Sequence, residues 1–370
     1  MLSLKRKKKQ ILLLCPYPEG VAPGQRLKYE QYFDFLRAQG YSITVSPFFS
    51  QGTWKILYQR GNYVRKAAGV LGGYLRRIFD LFRTPFFDGT YIFLHAAPFG
   101  GAGLESLFRR LSRRLIYDID DLVYLGPSSQ VNRVAARWKN PRKYSFLMEK
   151  ADHVITCTPY LDAHVRMFND RTTDISSTIR TDAYRPVNRY LNDHPLVIGW
   201  SGSHSTVPYL KLLEGVFQKL ALTDRFVVKV IGTEEFVIPG VEVKCRKWTE
   251  ASEVSELQEI DIGVYPLPEE EWVLGKSGLK ALQYMALGIP TVATAIGANF
   301  RVIENGRSGF LVKTEEEWLA TLRELLRNAP LRKRLGEEAR SRVEQLYSVQ
   351  ANQPIYLSVF ERVFRMEERP

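Results

Sequence analysis

The chain has few cysteines and no long apolar run, and each shortage excludes a class of protein. No stretch of its 370 residues approaches the roughly 18 consecutive apolar residues that a transmembrane helix needs. Cys15, Cys157 and Cys245 lie far apart, which predicts neither a disulfide framework nor a cysteine-rich metal site. A basic segment precedes the apolar run at 11–15, but that run is too short for a signal peptide. We therefore expect a cytoplasmic protein.

Two familiar glycine-rich phosphate motifs are also missing. The turn after the first predicted strand lacks the pattern G-x-G-x-x-G of dinucleotide-binding folds. The segment Gly275–Ser277 reads Gly-Lys-Ser, as in a P-loop, but the glycine required five positions earlier is replaced by Glu270. The P-loop interpretation therefore fails.

Basic residues are in excess, and this excess predicts an anionic partner. The formal net charge is +12, while 45% hydrophobic and 25% charged residues are ordinary for a globular protein. The candidate partners are nucleic acid, a phosphorylated ligand and an acidic membrane. Nucleic acid is disfavoured, because no aromatic and basic motif of a known nucleic-acid reader is present.

Short apolar runs alternate with amphipathic helical stretches, which is typical of parallel βαβ units. The predicted strands are 10–15, 42–46, 91–94, 114–117, 153–156, 196–200, 226–231, 241–244, 261–265 and 291–294. A polar stretch at 188–194 separates two sets of predicted strands, and in both sets the strands alternate with helical stretches. We predict an α/β protein of two Rossmann-like, doubly wound domains that face each other across a cleft, with ligands beyond the carboxyl ends of the strands.

The segment 275–278 opens a predicted helix and forms the first candidate anion site. Helix starts present unpaired N–H groups, and small residues beside a lysine allow an anion to approach closely. The candidate residues here are Lys276, Ser277, Gly278 and Leu279. The alternative is a capped surface helix whose lysine is only solvated.

Two strand-to-helix turns are further candidates for binding an anion. The turn at 19–26 combines glycines with an arginine, and its candidates are Gly24 and Arg26. The turn after the predicted strand 196–200 contributes Ser201, Ser203 and His204. In the alternative interpretation of this second turn, Ser205 or Thr206 caps the next helix and the histidine is a solvated loop residue.

A cluster of carboxylates follows the strand that ends at Tyr117. Its members are Asp118, Asp120 and Asp121. Carboxylates at a strand end could act as a base or orient a hydroxyl group. The alternative is helix capping with salt bridges to Arg113 and Arg114. No second set of carboxylates or histidines accompanies the cluster, so we predict no metal ion.

The segment 62–83 predicts a basic amphipathic helix. Apolar residues recur at helical spacing, and 60–83 contains six basic residues against one acid, Asp80. Such a stripe usually packs on its own domain. The rival interpretation is docking of this segment on an anionic membrane surface.

One block of the sequence consists of Trp272–Thr294 with Gly297 and Glu304–Phe310. This block resembles the donor-binding region of family-4 (group 1) glycosyltransferases. Further similar segments are Ile198–Ser203, Tyr117–Asp121 and Asp261–Pro268. The resemblance runs from about residue 10 to residue 345. It implies a GT-B fold, a retaining reaction without a metal, and a final helix at Ile355–Arg365 that crosses back to the first domain.

The resemblance also implies domain roles. Residues 1–188 would form the acceptor-side domain, completed by a C-terminal helix at 350–370, and residues 189–349 would bind the nucleotide sugar. The family's two donor-binding glutamates correspond to Gly275 and Gln283 here. Gln283 can still hydrogen-bond ribose hydroxyls. Diphosphate binding is assigned to Lys276, the Gly278 and Leu279 amides, and Arg26.

These observations predict transfer of a sugar from a UDP- or GDP-linked donor to a glycan or polyprenyl-linked acceptor, without a cofactor. We expect the reaction to serve cell-surface polysaccharide or glycoconjugate synthesis, in the cytoplasm or peripherally on the inner face of the plasma membrane. The alternative is a non-catalytic, GT-B-shaped scaffold subunit that docks on a membrane or a partner.

Overall fold

The computed structural model describes residues 8–125, 140–187, 195–203 and 206–364. Its contacts divide the chain into two units. Unit 1 contains the chain up to Ser177 together with the segment from Asn352, and unit 2 is Thr178–Ala351. The division thus lies between residues 177 and 178, whereas the sequence suggests one between 188 and 189.

Unit 1 is built on a six-stranded parallel sheet in the order β2-β1-β3-β4-β5-β6. Its strands are β1 Lys9–Cys15, β2 Tyr41–Pro47, β3 Gly89–Phe93, β4 Leu115–Asp118, β5 His153–Thr156 and β6 Thr172–Asp174. The central strands are runs of buried apolar residues because helices cover both faces of a parallel sheet. The strand order reverses direction between β1 and β3, which is the switch point of unit 1.

The helices of unit 1 are α1 Pro23–Arg26, α2 Phe33–Ala38, α3 Gln51–Leu57, α4 Tyr63–Arg83, α5 Gly103–Leu111, α6 Arg142–Lys150 and α7 Pro159–Arg166. Short 3-10 turns lie at Glu30–Tyr32, Thr84–Phe86 and Val123–Leu125. The final helix spans Val349–Phe364, and its residues from Asn352 belong to unit 1, where Tyr356 stacks on Tyr32. Arg365, the predicted end of that helix, lies outside the described residues.

Unit 2 contains a second six-stranded parallel sheet in the order β12-β11-β10-β7-β8-β9. Its strands are β7 Leu196–Ser201, β8 Phe226–Ile231, β9 Val243–Arg246, β10 Ile262–Tyr265, β11 Thr291–Thr294 and β12 Phe310–Val312. This is the order of a doubly wound dinucleotide-type sheet, and its switch point lies between β7 and β10. The ten predicted strands are confirmed in both units to within two residues at each end.

The helices of unit 2 are α8 Val207–Leu210, α9 Glu214–Ala221, α10 Glu253–Leu257, α11 Leu279–Ala286, α12 Asn299–Val302, α13 Glu315–Arg327 and α14 Ala329–Arg342. The unit also contains a π-helical segment at Val343–Tyr347 and 3-10 turns at Lys211–Leu213 and Glu271–Gly275. Across the described ranges of both units, no helix is long and apolar enough to cross a membrane.

Candidate functional site

The switch point of unit 2 carries a lysine that sequence reasoning missed. The Lys280 Nζ lies 5.4 Å from the ring centroid of Trp200, near the end of β7, and 5.5 Å from that of Tyr265, which ends β10. One cation therefore spans the two strands between which the sheet order reverses. Ligands of doubly wound sheets bind beyond the carboxyl ends of such strands, so Lys280 is placed where an anionic ligand would bind.

The backbone around the end of β7 is packed so closely that it requires glycine. A Cβ added at Gly202 would lie 2.2 Å from the Trp200 ring, and one added at Gly232 would lie 1.7 Å from the Gly202 oxygen. Gly232 also has a φ of +118°, which favours glycine. The predicted residue Ser201 is buried at this point, and its backbone N–H donates to the Tyr284 hydroxyl over 2.7 Å.

The two other candidates in this turn differ in what the structure shows of them. Ser203 is exposed, and its backbone N–H donates to the Thr206 Oγ1 over 3.0 Å. The Thr206 hydroxyl in turn donates to the Ser203 oxygen, so the two residues form a local turn. His204 lies outside the described residues.

The predicted anion site at 276–279 lies at the start of α11. Gly278 is the N-cap with a φ of +77°, and no side chain caps the helix, so this helix start keeps the geometry of an anion site. The half-buried Lys276 places its Nζ 5.5 Å from the Trp272 ring centroid, and Ser277 is buried. Lys276 therefore precedes the helix, and Lys280 lies in its first turn.

Gln283 belongs to a buried hydrogen-bond network. Its Nε2 donates to the Tyr184 hydroxyl over 3.0 Å and to the Glu253 Oε1 over 3.1 Å. The Glu253 carboxylate also accepts from the Tyr184 hydroxyl over 2.8 Å and from the Trp248 Nε1 over 3.0 Å. The amide nitrogen of Gln283 is therefore engaged internally, and its carbonyl oxygen is the atom suited to a ribose hydroxyl.

This network explains why the chain has glutamine at position 283. We expect Gln283→Glu to destabilise unit 2 by about 1–3 kcal/mol, since two carboxylates would then meet in a buried site and donors would be lost. Repulsion raises the pKa of the new carboxyl group, so the stability should fall as pH rises from about 5 to 8. Urea unfolding at both pH values measures this. The exchanged pair Glu253→Gln/Gln283→Glu should recover stability, and equal stability of Gln283→Glu and the wild type at pH 8 would contradict the explanation.

In unit 1, Asp118 lies in the interior and reaches no surface. It forms an ion pair with Lys28 and accepts a hydrogen bond from the Tyr91 hydroxyl, and both ion-pair side chains are almost fully buried. Burial alone would lower the pKa of Lys28, but Asp118, Cys157 and Asp120 together outweigh the effect of burial, so the pKa of Lys28 is above its usual range. Asp118 is thus placed as a buried ion-pair partner rather than as a residue that contacts substrate.

Asp120 and Asp121 are half-buried and are the carboxylates of the cluster that remain accessible. The Asp120 Oδ2 lies 3.3 Å from the position that a Cβ on Gly24 would take. Asp121 has a φ of +57°, and its backbone hydrogen-bonds to Cys157. The structure thus brings the turn after β1 against the end of β4, where a side chain at residue 24 would press on the Asp120 carboxylate.

The turn that carries Gly24 and Arg26 is held by a buried glutamine. The Gln25 Nε2 donates to the Tyr17 oxygen and to the Glu30 Oε1, both over 3.0 Å, and its Oε1 accepts from the Tyr17 N–H over 3.1 Å. Arg26 ends α1 and is half-buried. Sequence reasoning missed Gln25, since no local pattern distinguishes a buried glutamine in a turn.

Arg77 fills the switch point of unit 1. Its guanidinium is fully buried and donates to the Cys15 oxygen at the end of β1, the Ala96 oxygen after β3 and the Ser46 hydroxyl, and it pairs with Asp80. In the docking interpretation of 60–83, Arg77 is one of the six basic residues that face an anionic membrane. That assignment is wrong, because the side chain lies inside the unit.

Parts of the sequence resemble known glycosyltransferases. Residues 198–328 match the family model described as Glycosyl transferases group 1. A 64-residue segment is 41% identical to a D-inositol 3-phosphate glycosyltransferase of Nocardioides sp., which amounts to 17% of this chain and 14% of that protein. The matched family segment contains the switch point between β7 and β10 and the start of α11.

Solved structures resemble the chain over most of its length. A sucrose-phosphate synthase from Thermosynechococcus elongatus has a TM-score of 0.71 at 14% identity, covering 97% of this chain and 100% of its own. A glycosyltransferase from Rickettsia africae has a TM-score of 0.70 at 12% identity, covering 98% and 100%. Anabaena HepE in complex with UDP and glucose has a TM-score of 0.59 at 16% identity, covering 95% and 99%. The predicted GT-B fold is confirmed, and the resemblance to group 1 glycosyltransferases is confirmed over residues 198–328.

Proposed function

We propose that the chain is a glycosyltransferase that moves a sugar from a UDP- or GDP-linked donor to a glycan or lipid-linked glycan, with retention at the anomeric carbon. The observation that carries this proposal is the position of Lys280, whose cation spans the β7/β10 switch point inside the matched segment 198–328. The complex of HepE with UDP and glucose supports a nucleotide sugar as the donor.

In the proposed reaction, unit 2 holds the donor. Lys276, Lys280 and the start of α11 supply positive charge to the leaving diphosphate, which gains negative charge in the transition state. The carbonyl oxygen of Gln283 accepts from a ribose hydroxyl. We also propose Ser201, Ser203 and His204, the residues predicted after β7, as contacts of the phosphates.

Unit 1 supplies the groups proposed to act on the acceptor. Asp120 and Asp121 orient the attacking hydroxyl and accept its proton. Arg26 adds a cation in the turn beside Gly24. We propose that no metal ion and no cofactor take part, because lysine and arginine side chains can stabilise the charge of the leaving group.

The proposed setting is cell-surface polysaccharide or glycoconjugate synthesis on the cytoplasmic side of the plasma membrane. The net charge of +12 supports a location beside an anionic surface. The second candidate function is a non-catalytic scaffold subunit. Gly275 favours it, because it offers no side chain to a donor-sugar hydroxyl where the family has glutamate.

A nucleotide panel distinguishes the two candidates. We expect UDP or GDP at about 100 times its Kd to add about 2.7 kcal/mol to the stability of unit 2, seen as a higher melting temperature in a thermal-shift assay. Lys276→Ala and Lys280→Ala should each weaken nucleotide binding about 10- to 150-fold, since each removes a charge-assisted contact. Lys333→Ala is the matched control, because that lysine is exposed on α14. A scaffold would respond to no nucleotide.

A further inference from the structure

Helix α4 packs on the rest of unit 1 through its small and charged residues. A Cβ added at Gly73 would lie 2.5 Å from the Phe48 ring, and one added at Gly69 would lie 2.5 Å from the Thr53 side chain. Gly73, Arg77 and Asp80 are the buried residues of the helix. These positions recur at the spacing of one helical face, so the glycines allow the helix axis to approach the unit closely.

The opposite face of α4 is apolar and exposed. We call it the apolar strip, and it consists of Val64 (84% exposed), Leu71 (62%), Leu75 (58%), Ile78 (48%), Phe79 (59%) and Phe82 (74%), continued after the helix by Phe86 (83%). At about 100° per residue, the members in the helix fall within roughly 100° of one another. A helix on a globular protein normally buries such a face, and α4 does the reverse. A contiguous exposed patch of this kind marks an interaction site.

The accessible charges of residues 60–83 have one sign. Arg60 and Arg65 are exposed, and Lys66 is half-buried. The one acid of 60–83, Asp80, is buried against Arg77 and lies 3.6 Å from the Arg83 guanidinium. The accessible charge of residues 60–83 is therefore basic, which complements an anionic surface.

The neighbouring helix α5 also carries exposed apolar side chains and an exposed arginine. Helix α5 packs against α4 and against the turn that holds Phe86. Leu107 and Leu111 are 44% and 38% exposed on it, and Arg110 is exposed between them.

We propose that the apolar strip docks unit 1 on an anionic lipid bilayer, with its leucine, isoleucine and phenylalanine side chains in the interface and Arg60 and Arg65 on lipid phosphates. Apolar burial supplies most of the attraction, because Arg77 is internal and Arg76 donates to the backbone oxygens of Pro47 and Phe48. A second copy of the chain fits less well as the partner. A two-fold contact between two strips would bring the basic residues of both copies together, and these would repel each other. Docking requires neither donor nor acceptor, so it can be tested independently of the transfer reaction.

Vesicle flotation of the full chain tests the proposal, with phosphatidylcholine vesicles and with vesicles that also contain phosphatidylglycerol. We expect the wild type to float with the anionic vesicles at low salt and to bind less at high salt. The variant Leu75→Gln/Phe82→Gln should bind at least about tenfold more weakly, because it removes apolar area from the interface. Arg60→Glu/Arg65→Glu should lower binding mainly at low salt. The matched control is Leu222→Gln, an 84% exposed leucine of unit 2, which should bind like the wild type.

Three results would overturn the proposal. The first is a wild type that stays soluble with anionic vesicles at low salt. The second is equal binding by the wild type and Leu75→Gln/Phe82→Gln. The third is a concentration-dependent dimer, or a stable complex with another protein, that is broken by Phe82→Gln while vesicles remain unbound. Each variant is also checked for the wild-type melting temperature and nucleotide response, so that loss of docking is separated from misfolding and from loss of the donor site.

Discussion

Replacing Lys28 by methionine is expected to lower the free energy of unfolding of unit 1 by about 3–5 kcal/mol. Lys28 and Asp118 are 1% and 0% exposed and form an ion pair, and the Lys28 Nζ also donates to the Ile119 oxygen over 3.1 Å. Methionine fills a similar volume but leaves the Asp118 carboxylate buried beside an apolar group. A buried charge without its partner carries a large desolvation cost, which urea unfolding would measure.

A double variant separates the loss of charge pairing from the loss of packing. In Lys28→Met/Asp118→Asn the buried site is neutral, and the asparagine side chain still accepts from the Tyr91 hydroxyl. We expect more than half of the lost stability to return. Lys55→Met, an exposed lysine of the same unit, should change little. Equal losses in the single and double variants would show that packing, and not the ion pair, holds this part of the core.

The same double variant assigns the role of Asp118. If Asp118 is a buried structural partner, the refolded double variant should keep its turnover at a temperature where it is fully folded. A folded double variant without turnover would return Asp118 to the catalytic group predicted from the sequence. The burial of Asp118 could not be predicted, because its partner Lys28 lies in another segment of the chain.

Strands were predictable where the chain has a sufficient local run of apolar residues. Residues 226–231 are such a run, and the strand is found there. Two strands were missed, Thr172–Asp174 and Phe310–Val312. Each has three residues, too few to show a period of two, and each is fixed by pairing with the preceding strand of its sheet.

The α4 helix shows which part of an amphipathic pattern is local. The spacing of Leu71, Leu75 and Ile78 predicts a helix with an apolar face, and the helix is confirmed. The pattern could not show that this face points away from the unit. Gly69 and Gly73 suggest a weak helix when taken from the sequence, yet in the structure they are the positions of closest approach.

The candidate donor site was predictable only in part for a similar reason. The start of α11 has a local signature in Gly278 and Lys276, and the structure places a helix start there. Lys280 was missed because the rings of Trp200 and Tyr265 that surround its cation come from two other strands. Their proximity follows from the sheet order, which no local pattern contains.

Asp120→Asn is expected to lower turnover about 10²- to 10⁴-fold while leaving the nucleotide-induced thermal shift unchanged. Asparagine has the size of aspartate and can still accept a hydrogen bond, but it cannot take up a proton or hold a negative charge at the acceptor hydroxyl. Asp120 is half-buried and is in no described salt bridge of unit 1, and its charge acts on the pKa of Lys28 less strongly than that of Asp118. Its removal should therefore affect the reaction more than the fold.

The measurement is the transfer rate at saturating donor, together with the melting temperature with and without nucleotide. Asp34→Asn is the matched control, because the Asp34 side chain is 99% exposed in the same unit. Gly24→Ala should lower the rate as well, since its Cβ would come within 3.3 Å of the Asp120 Oδ2 and would narrow the space for the acceptor. If Asp120→Asn lowers the melting temperature and the rate in proportion, the carboxylate stabilises the end of β4, and the proton acceptor must be sought at Asp121.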